Sequence, residues 1–206
     1  MDLVVATTNK GKLAEIAHVL KGLPVRLIPL SDLSNPPQVV EDETTFEGNA
    51  RKKAREIARW SGKATLADDS GLVVPALGGR PGVYSARYAG PEATDEDNRK
   101  KLLDEMKEVP WEGRDARFVC CLVVVFPTGQ EWVIEDICEG KIAIEPRGDQ
   151  GFGYDPLLWI PSLQKTMAEL PIEEKNLVSH RGKALRKLLK ILECAIRKPS
   201  GRSSAW

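Results

Sequence analysis

Ala67-Asp68-Asp69-Ser70-Gly71-Leu72 places two adjacent acids and a turn at the end of a short apolar run. Adjacent carboxylates repel each other, and a strand that enters a core is a poor position for them. A divalent cation held by oxygen ligands is the simplest way to offset that unfavourable charge. Because strand ends are favoured catalytic positions in α/β folds, the segment predicts a metal-assisted site, with an ordinary charged turn as the alternative.

The segments before this acidic pair alternate between strand and helix patterns. An apolar run after the N-terminus gives way to apolar residues at helical spacing, so residues 7–12 lie at a strand-to-helix junction. Further along, Thr44 and Glu47 fit a capping box at the start of a helix that ends near Gly62. The next short strand, residues 65–68, delivers the acidic pair and is followed by a turn.

The second half of the chain contains a hairpin and a C-terminal helix. Residues 116–126 and 131–139 flank a Pro-Thr-Gly turn, as in a β-hairpin. Leucines at helical spacing mark a last helix whose N-terminal end carries Ser179-His180-Arg181. Together with the alternating first half, this pattern predicts an α/β fold with a mixed β-sheet.

Composition limits the function classes that suit this chain. Its 206 residues, 42% of them hydrophobic, can bury the core of one domain or of two closely joined lobes. The 30 basic and 30 acidic residues give a net charge of zero, which argues against a protein that binds nucleic acid. A small polyanion remains a suitable ligand, because a few lysines converging on one cleft need no overall basic excess. The polar residues 198–206 are expected to be disordered.

Nothing in the sequence indicates export or membrane insertion. The N-terminus has too few apolar residues for a signal peptide, and no run approaches the roughly 20 apolar residues of a membrane helix. The four cysteines form no Cys-x-x-Cys pair, and we expect them to be reduced and buried. These features predict a soluble, cytoplasmic protein without a membrane partner.

The strand-to-helix junction is suited to bind phosphate. It consists of Thr7-Thr8-Asn9-Lys10-Gly11-Lys12, so two lysines supply positive charge and the first three residues supply neutral donors. Unpaired backbone N–H groups and the positive end of a helix dipole at such a junction favour an anion. The segment lacks the spacing of a P-loop, and a solvated helix start is the alternative.

Ligands for magnesium are available from two separate segments. Mg²⁺ prefers one or two carboxylates, with waters and substrate phosphates completing an octahedron. Glu41 and Asp69 supply two such ligands if the fold brings them together. A carboxylate beside the metal can also take the proton of a water whose pKa the metal lowers. Taken alone, the acidic run 41–43 is better explained as a charged loop.

Two further segments offer contacts to a nucleotide base. In Phe152-Gly153-Tyr154-Asp155 the glycine allows close backbone approach, the Phe ring can stack on a planar base, and the aspartate can accept from a ring or sugar donor. Lys175, His180 and Arg181 follow, and the lysine and arginine carry only donors. Donors fit a purine keto oxygen but oppose the amino group of adenine, which discriminates between the bases. A tight turn and a charged helix start are the structural alternatives.

Six segments, in order between residue 2 and about residue 196, form a recognisable set. They are Thr7-Thr8-Asn9-Lys10-Gly11-Lys12, Phe46-Glu47-Gly48-Asn49-Ala50, Ala67-Asp68-Asp69-Ser70-Gly71-Leu72, Gly82-Val83-Tyr84-Ser85-Ala86-Arg87, Gly151-Phe152-Gly153-Tyr154-Asp155-Pro156 and Ser179-His180-Arg181. The set resembles the Ham1-like inosine triphosphate pyrophosphatase family. The resemblance implies that residues 1–197 form a single two-lobed domain over a long mixed β-sheet flanked by helices, with a central active-site cleft.

The resemblance also implies an activity, a cofactor and roles for residues. It implies a cytoplasmic, homodimeric hydrolase that cleaves non-standard purine nucleoside triphosphates (ITP, dITP and XTP) to the monophosphate and pyrophosphate with Mg²⁺, and so cleans the nucleotide pool. Glu41 and Asp69 would hold the metal, and Asp69 would be the general base. Asp68 would support the site, and Lys53 is a weaker candidate for phosphate binding. The implied substrate contacts are Thr7, Thr8, Asn9, Lys10, Gly11, Lys12, Ser70, Phe152, Gly153, Tyr154, Asp155, Lys175, His180 and Arg181.

Two other functions remain open on the sequence alone. Maf-like nucleotide pyrophosphatases are similar in architecture, although the Asn9-Lys10-Gly11-Lys12 loop differs from their Ser-Pro-Arg-Arg-like loop. The second open function is that of a regulatory module that binds nucleotide without catalysis. Such a module would not require Asp69.

Overall fold

A computed structural model describes residues 1–197 and has an α/β architecture. The predicted disordered tail, residues 198–206, lies outside the described residues. Within the described range, the strands and helices in chain order are β1 (Asp2–Val5), α1 (Lys10–Val19), β2 (Arg26–Pro29), α2 (Phe46–Ser61), β3 (Ala64–Val73), α3 (Asp95–Glu105), β4 (Asp115–Val125), β5 (Glu131–Ile142), β6 (Leu158–Ile160), β7 (Lys165–Thr166), α4 (Ile172–Val178) and α5 (His180–Arg197).

The strands form one mixed sheet in the order β2-β1-β3-β4-β5-β6-β7. β1 runs parallel to both β2 and β3, and the pairs from β3 to β7 are antiparallel. β4 and β5 form the predicted hairpin, paired from Val125 and Glu131 at the turn to Asp115 and Lys141 at the far end. The predicted α/β class with a mixed sheet, flanked by helices, is therefore confirmed.

The acidic pair lies within a long strand, which the sequence did not predict. β3 pairs with β4 from Thr65 opposite Val125 to Val73 opposite Arg117. The predicted turn after Asp69 is wrong, because β4 provides main-chain hydrogen-bond partners on both sides of the acidic pair. The two carboxylates are consequently in the interior of the sheet.

The start of α2 differs by one residue from the prediction. Thr45 is the N-cap, and its side chain accepts a hydrogen bond of 3.0 Å from the Gly48 N–H, so the capping box predicted at Thr44 is wrong. The predicted end is confirmed, since Gly62 caps the helix in the left-handed conformation with φ 65°. α2 is thereby fixed at both ends against the sheet.

Apolar side chains form three clusters around the sheet. α1 and α5 cover one face of β1, β3 and β4, α2 covers the other face, and the third cluster joins α3 to the far end of the sheet. Cys120, Cys121 and Cys138 are buried, whereas Cys194 is exposed, so the prediction of four buried cysteines is wrong at that position. Among the described helices, none is both long and apolar enough to cross a membrane.

Candidate active site

A cleft of about 700 Å³ lies over β3. Most of the residues predicted to bind substrate or metal line it, together with Lys53. These are Thr7, Thr8, Asn9, Lys12, Glu41, Asp69, Ser70, Phe152, Gly153, Tyr154, Asp155, His180 and Arg181. Lys10, Gly11 and Lys175 are not among the lining residues, so for these three a contact with substrate stays a prediction.

The junction between β1 and α1 forms one wall of the cleft. Asn9 is the N-cap of α1, and its side chain accepts a 3.0 Å hydrogen bond from the Lys12 N–H. The Thr7 hydroxyl accepts a 3.1 Å bond from the Asn9 N–H and so shapes the preceding turn. Lys10 is exposed, whereas Lys12 reaches across to β3. The wall therefore combines a helix N-terminus with one inward lysine, which suits an anion.

Asp68 and Asp69 contact different helices, because successive side chains of a strand point to opposite faces. The Asp68 carboxylate lies 2.6 Å from Lys12 Nζ in α1 and 2.7 Å from Arg181 Nε in α5. The Asp69 carboxylate instead accepts a 3.1 Å hydrogen bond from the Asn49 side chain of α2. The repulsion expected between adjacent carboxylates is thus reduced by geometry.

The charge of Asp68 is compensated by protein cations. The residue is 1% exposed, and burial disfavours its ionised form, yet the positive charges of Arg181 and Lys12 hold its pKa well below the usual range. A divalent cation was the simplest expected way to offset the charge of the acidic pair, but for Asp68 that role belongs to Lys12 and Arg181. This carboxylate instead orients Lys12 and Arg181 at the cleft.

The environment of Asp69 has the opposite effect. Burial raises the pKa of this carboxyl to about 6, with Lys53 and Lys12 opposing the rise. A carboxylate with a pKa near neutrality can accept a proton from water more readily than an ordinary aspartate. The raised pKa supports a general-base role for Asp69, which stays a prediction.

The ammonium group of Lys53 contacts both Glu41 and Asp69. Lys53 Nζ lies 2.8 Å from Glu41 Oε1 and 4.0 Å from Asp69 Oδ1, so its ammonium group is held between the two carboxylates. Two carboxylates facing an open cleft are a donor set that suits Mg²⁺, which fills its other positions with water and phosphate oxygens. The described residues contain no cluster of three or more His, Cys, Asp or Glu side chains that could hold a metal. The two carboxylates therefore fit a Mg²⁺ ion whose remaining ligands would be waters, or phosphate oxygens when substrate is present.

A chain of buried ion pairs supports the opposite wall. Glu15 accepts from Lys175 and from Arg181, each at 2.6 Å, and Lys175 also lies 2.6 Å from Asp155. These four side chains are each no more than 4% exposed. Lys175 thus lies behind the cleft wall with its ammonium engaged by two carboxylates, and it acts on the cleft through Asp155.

The ring of Phe152 forms part of the cleft surface. Lys175 Nζ lies 5.0 Å and the Arg181 guanidinium 5.5 Å from the ring centroid. The Phe152 N–H donates to the Asp155 carboxylate at 2.8 Å, which fixes the loop. Tyr154 is buried, and its hydroxyl donates to the Ser85 carbonyl at 2.9 Å. Phe152 is therefore the planar surface of this loop, whereas Tyr154 anchors it.

His180 and Arg181 begin α5 at the back of the cleft. The His180 ring stacks on Phe118 with centroids 4.6 Å apart, and burial together with the nearby Arg181 charge holds its pKa well below the usual range. His180 is therefore neutral, and within the described residues its Nδ1 has no hydrogen-bond partner. Arg181 donates to Ser70 Oγ at 2.7 Å besides its ion pairs.

Two of the six sequence segments contain site residues to which no role had been assigned. Asn49, in the segment at the start of α2, donates to Asp69. Ser85 and Arg87, in the segment 82–87, line the cleft, as does Asp95 at the start of α3. The segments themselves were the available signal, but the contacts of their side chains depend on the tertiary fold.

Comparisons with known proteins identify relatives of this chain. A sequence profile of the Ham1 family matches residues 3–191. A dITP/XTP pyrophosphatase of Geobacter sulfurreducens is 55% identical over 183 residues, covering 89% of this chain and 92% of that protein. One of Desulforamulus reducens is 47% identical over 192 residues, covering 93% and 96% respectively.

Solved structures are similar over the same extent. A HAM1 protein from Coxiella burnetii aligns with a TM-score of 0.86 and 42% identity, covering 94% of this chain and 98% of that chain. A nucleoside-triphosphatase, dITP/XTP pyrophosphatase, from Mycobacterium abscessus aligns with a TM-score of 0.75 and 45% identity, covering 92% and 99%. These matches confirm the resemblance seen in the six segments and decide against the Maf-like alternative. In sequence and in fold, this chain belongs to the Ham1 family.

Proposed function

We propose that this chain hydrolyses non-standard purine nucleoside triphosphates, namely ITP, dITP and XTP, to the monophosphate and pyrophosphate. The observation that carries the proposal is that one cleft contains an anion-binding helix start, a buried carboxylate with a raised pKa and a planar aromatic ring. Relatives named dITP/XTP pyrophosphatase, about half identical to this chain, support the same substrate class. Removal of such nucleotides keeps deaminated purines out of nucleic acid.

The reaction that fits this cleft is attack of water on the α-phosphorus. Asp69 accepts a proton from the attacking water, the new phosphorus–oxygen bond forms, and the bond to the bridging oxygen breaks so that pyrophosphate leaves. Lys12 and Lys53 line the cleft and stabilise the negative charge that develops on the departing oxygens. The N–H groups at the start of α1 bind the triphosphate chain.

Glu41 and Asp69 are the residues that would hold Mg²⁺. The ion, when bound, would supply positive charge to the phosphate oxygens and lower the pKa of nearby water. The contact of Lys53 with both carboxylates supports this assignment, because a cation already lies between them. Manganese, which favours similar oxygen ligands, is a usable probe of the same site.

The base is selected at the wall formed by Phe152, His180 and Arg181. Phe152 offers a face for stacking. Arg181 lines the cleft, and the guanidinium hydrogens that Asp68, Glu15 and Ser70 leave unused are donors that fit the keto oxygen of hypoxanthine and xanthine. An adenine amino group would leave a donor opposite a donor, which disfavours ATP. Since Lys175 is engaged by Glu15 and Asp155, its contribution to base selection is indirect.

We also propose that the active form is a cytoplasmic homodimer. Family membership supports both features, and light scattering of the purified protein measures the oligomeric state directly. A monomeric mass at micromolar concentration would refute the dimer without affecting the proposed chemistry.

A turnover panel of about eight nucleoside triphosphates, with and without added Mg²⁺, tests the activity. ITP, dITP or XTP should be hydrolysed at least about tenfold faster than ATP, because the adenine amino group would face a buried donor and such a mismatch discriminates strongly. Asp69→Asn should abolish pyrophosphate release, whereas Asp42→Asn, an exposed neighbour of Glu41, serves as the matched control. Full turnover by Asp69→Asn would show that another group is the base. A wild-type protein that releases no pyrophosphate from any of these nucleotides would favour the regulatory alternative.

A further inference from the structure

Glu41 lies in a segment that has little structure of its own. Residues 33–45 connect the turn after β2 to α2 and contain neither helix nor strand. Two hydrogen bonds to Glu41 are present among the described residues. Lys53 Nζ donates to the carboxylate at 2.8 Å, and the Arg87 guanidinium donates to the main-chain carbonyl at 2.9 Å. Two side chains from outside the segment therefore hold Glu41 itself, and two residues further on the Glu43 N–H donates to Asn49 Oδ1 at 3.0 Å.

Arg87, by contrast, extends from a rigid part of the fold. It ends the 3₁₀ turn Gly82–Arg87, which lies against β3. Within this turn the Ser85 hydroxyl accepts from the Leu72 N–H at 2.8 Å and donates to the Gly82 carbonyl at 2.7 Å. A β-carbon at Gly71 would be 2.4 Å from the Ser85 hydroxyl oxygen, which shows how closely the turn approaches the strand.

A second set of contacts holds the backbone on both sides of Arg87. The buried Asn98 side chain of α3 donates to the Ala86 carbonyl at 3.2 Å and accepts from the Ala89 N–H at 2.8 Å. The guanidinium itself lies 5.1 Å from the centroid of the Tyr84 ring, where a cation–π contact restricts its motion. Arg87 is thus a fixed donor that lines the cleft.

We propose that Arg87 is a positioning residue that holds the Glu41 main chain so that the Glu41 carboxylate is directed at the metal site. The inference rests on the proposed function, since it assigns Glu41 to the metal. It extends that function by assigning the placement of Glu41 to a residue whose guanidinium contacts the Glu41 carbonyl and neither of the two carboxylates. Arg87 acts through Glu41.

The two contacts of Glu41 respond differently to a bound cation. If Glu41 and Asp69 held a divalent ion, its charge would repel the Lys53 ammonium and would weaken the 2.8 Å contact of Lys53 with the Glu41 carboxylate. The Arg87 bond is made to the carbonyl oxygen and leaves both carboxylate oxygens available. It therefore persists when the ion binds, and it offsets the entropy of ordering residues 33–45 that metal binding would otherwise have to overcome.

Whether removal of Arg87 weakens or strengthens cation binding distinguishes a positioning role from a purely electrostatic one. Arg87 is positively charged, so if it acted only through its charge, its removal would strengthen the binding of a cation nearby. If it fixes Glu41, its removal weakens that binding. Loss of one hydrogen bond from a charged donor corresponds to a weakening on the order of tenfold.

The test uses Mn²⁺ binding to the full chain without nucleotide, followed by electron paramagnetic resonance, and backbone hydrogen exchange of residues 33–45. Arg87→Ala should bind Mn²⁺ about tenfold more weakly than wild type and should exchange faster in this segment. Arg87→Lys, which keeps the charge and one donor, should lie between the two. Arg99→Ala is the matched control, because Arg99 also donates to a main-chain carbonyl at the cleft, that of Gly153, at 2.8 Å.

The outcomes distinguish this inference from the proposed function. Equal or tighter Mn²⁺ binding by Arg87→Ala, or unchanged exchange in residues 33–45, would overturn the inference. A raised nucleotide KM with unchanged Mn²⁺ affinity would show that Arg87 binds phosphate instead. Wild-type protein that binds no Mn²⁺, or Glu41→Gln that binds it as well as wild type, would refute the Glu41–Asp69 metal site itself. If Arg99→Ala weakened Mn²⁺ binding as much as Arg87→Ala, the cause would be general destabilisation, and the inference would be overturned.

Discussion

The ring of Phe152 lies directly on Gly11, so that a β-carbon at position 11 would be 2.3 Å from Phe152 Cδ1. The segment proposed to bind the triphosphate and the segment proposed to stack on the base are therefore in contact. Gly11 does not line the cleft, yet the absence of its side chain determines where the Phe152 ring lies. A role of Gly11 in substrate binding is thus explained by packing.

Gly11→Ala should impair substrate binding without destabilising the protein. The new methyl group displaces the Phe152 ring, and we expect kcat/KM for ITP to fall by roughly tenfold through KM, as for a lost stacking contact. The free energy of unfolding should not fall by the same amount, because alanine favours the helix over glycine by about 1 kcal/mol. Ala14→Ser, on the exposed side of α1, is the control, and an unchanged KM in Gly11→Ala would contradict the prediction.

Glu15→Gln should destabilise the fold strongly. Glu15 is 4% exposed and compensates two buried cations, Lys175 and Arg181, each at 2.6 Å. Removing its charge leaves two buried cations with one compensating carboxylate fewer, which should lower the free energy of unfolding by about 3 kcal/mol or more. Glu145→Gln removes an exposed ion pair with Arg147 and should change stability by less than about 1 kcal/mol. Similar urea midpoints for the two variants would refute the proposed importance of the buried chain.

Asp69→Asn should stabilise the metal-free protein at high pH. The pKa of Asp69 rises from 3.8 to about 6 on folding, so the unfolded chain holds the ionised form more readily. The ionised Asp69 carboxylate therefore lowers the free energy of unfolding, fully above pH 6 and not at all below the pKa of the unfolded chain. A pKa difference of about two units between the folded and unfolded states amounts to roughly 3 kcal/mol. Denaturation in EDTA should therefore show a large gain at pH 8 that shrinks towards pH 4. A gain independent of pH would contradict the raised pKa.

Thr45 and Thr44 form a matched pair for the start of α2. Thr45→Ala removes the N-cap hydrogen bond to the Gly48 N–H and should cost about 1 kcal/mol of stability. Thr44→Ala, one residue earlier, should change stability by less than about 0.5 kcal/mol. Thermal unfolding of both variants measures the difference in stability. A larger loss in Thr44→Ala than in Thr45→Ala would show that Thr44 is the N-cap.

Local patterns in the sequence were sufficient for several elements. The junction after β1, the hairpin of β4 and β5 and the glycine that ends α2 all follow from contacts within a few residues. The same is true of the residues that form the cleft, because the segments 7–12 and 152–155 are each continuous in sequence. Their meeting at one site came from the family resemblance.

The extent of β3 could not be read from local patterns. Asp68-Asp69-Ser70-Gly71 has the composition of a turn, and its strand conformation depends on β4, about fifty residues later in the chain. Of the two cations that compensate Asp68, Lys12 lies 56 residues away and Arg181 lies 113 residues away. Burial of charge at such a distance is decided by tertiary contacts, and the raised pKa of Asp69 follows from the same burial.

The opposite orientation of Asp68 and Asp69 has a consequence for how the gene can change. Insertion or deletion of a single codon ahead of the pair in β3 would exchange the two environments, since strand side chains alternate with a period of two. The proton acceptor would then face Lys12 and Arg181, and its pKa would fall. An insertion or deletion of an odd number of residues in this stretch would therefore be more harmful than one of an even number. Substitution of either aspartate alone would not reveal this restriction.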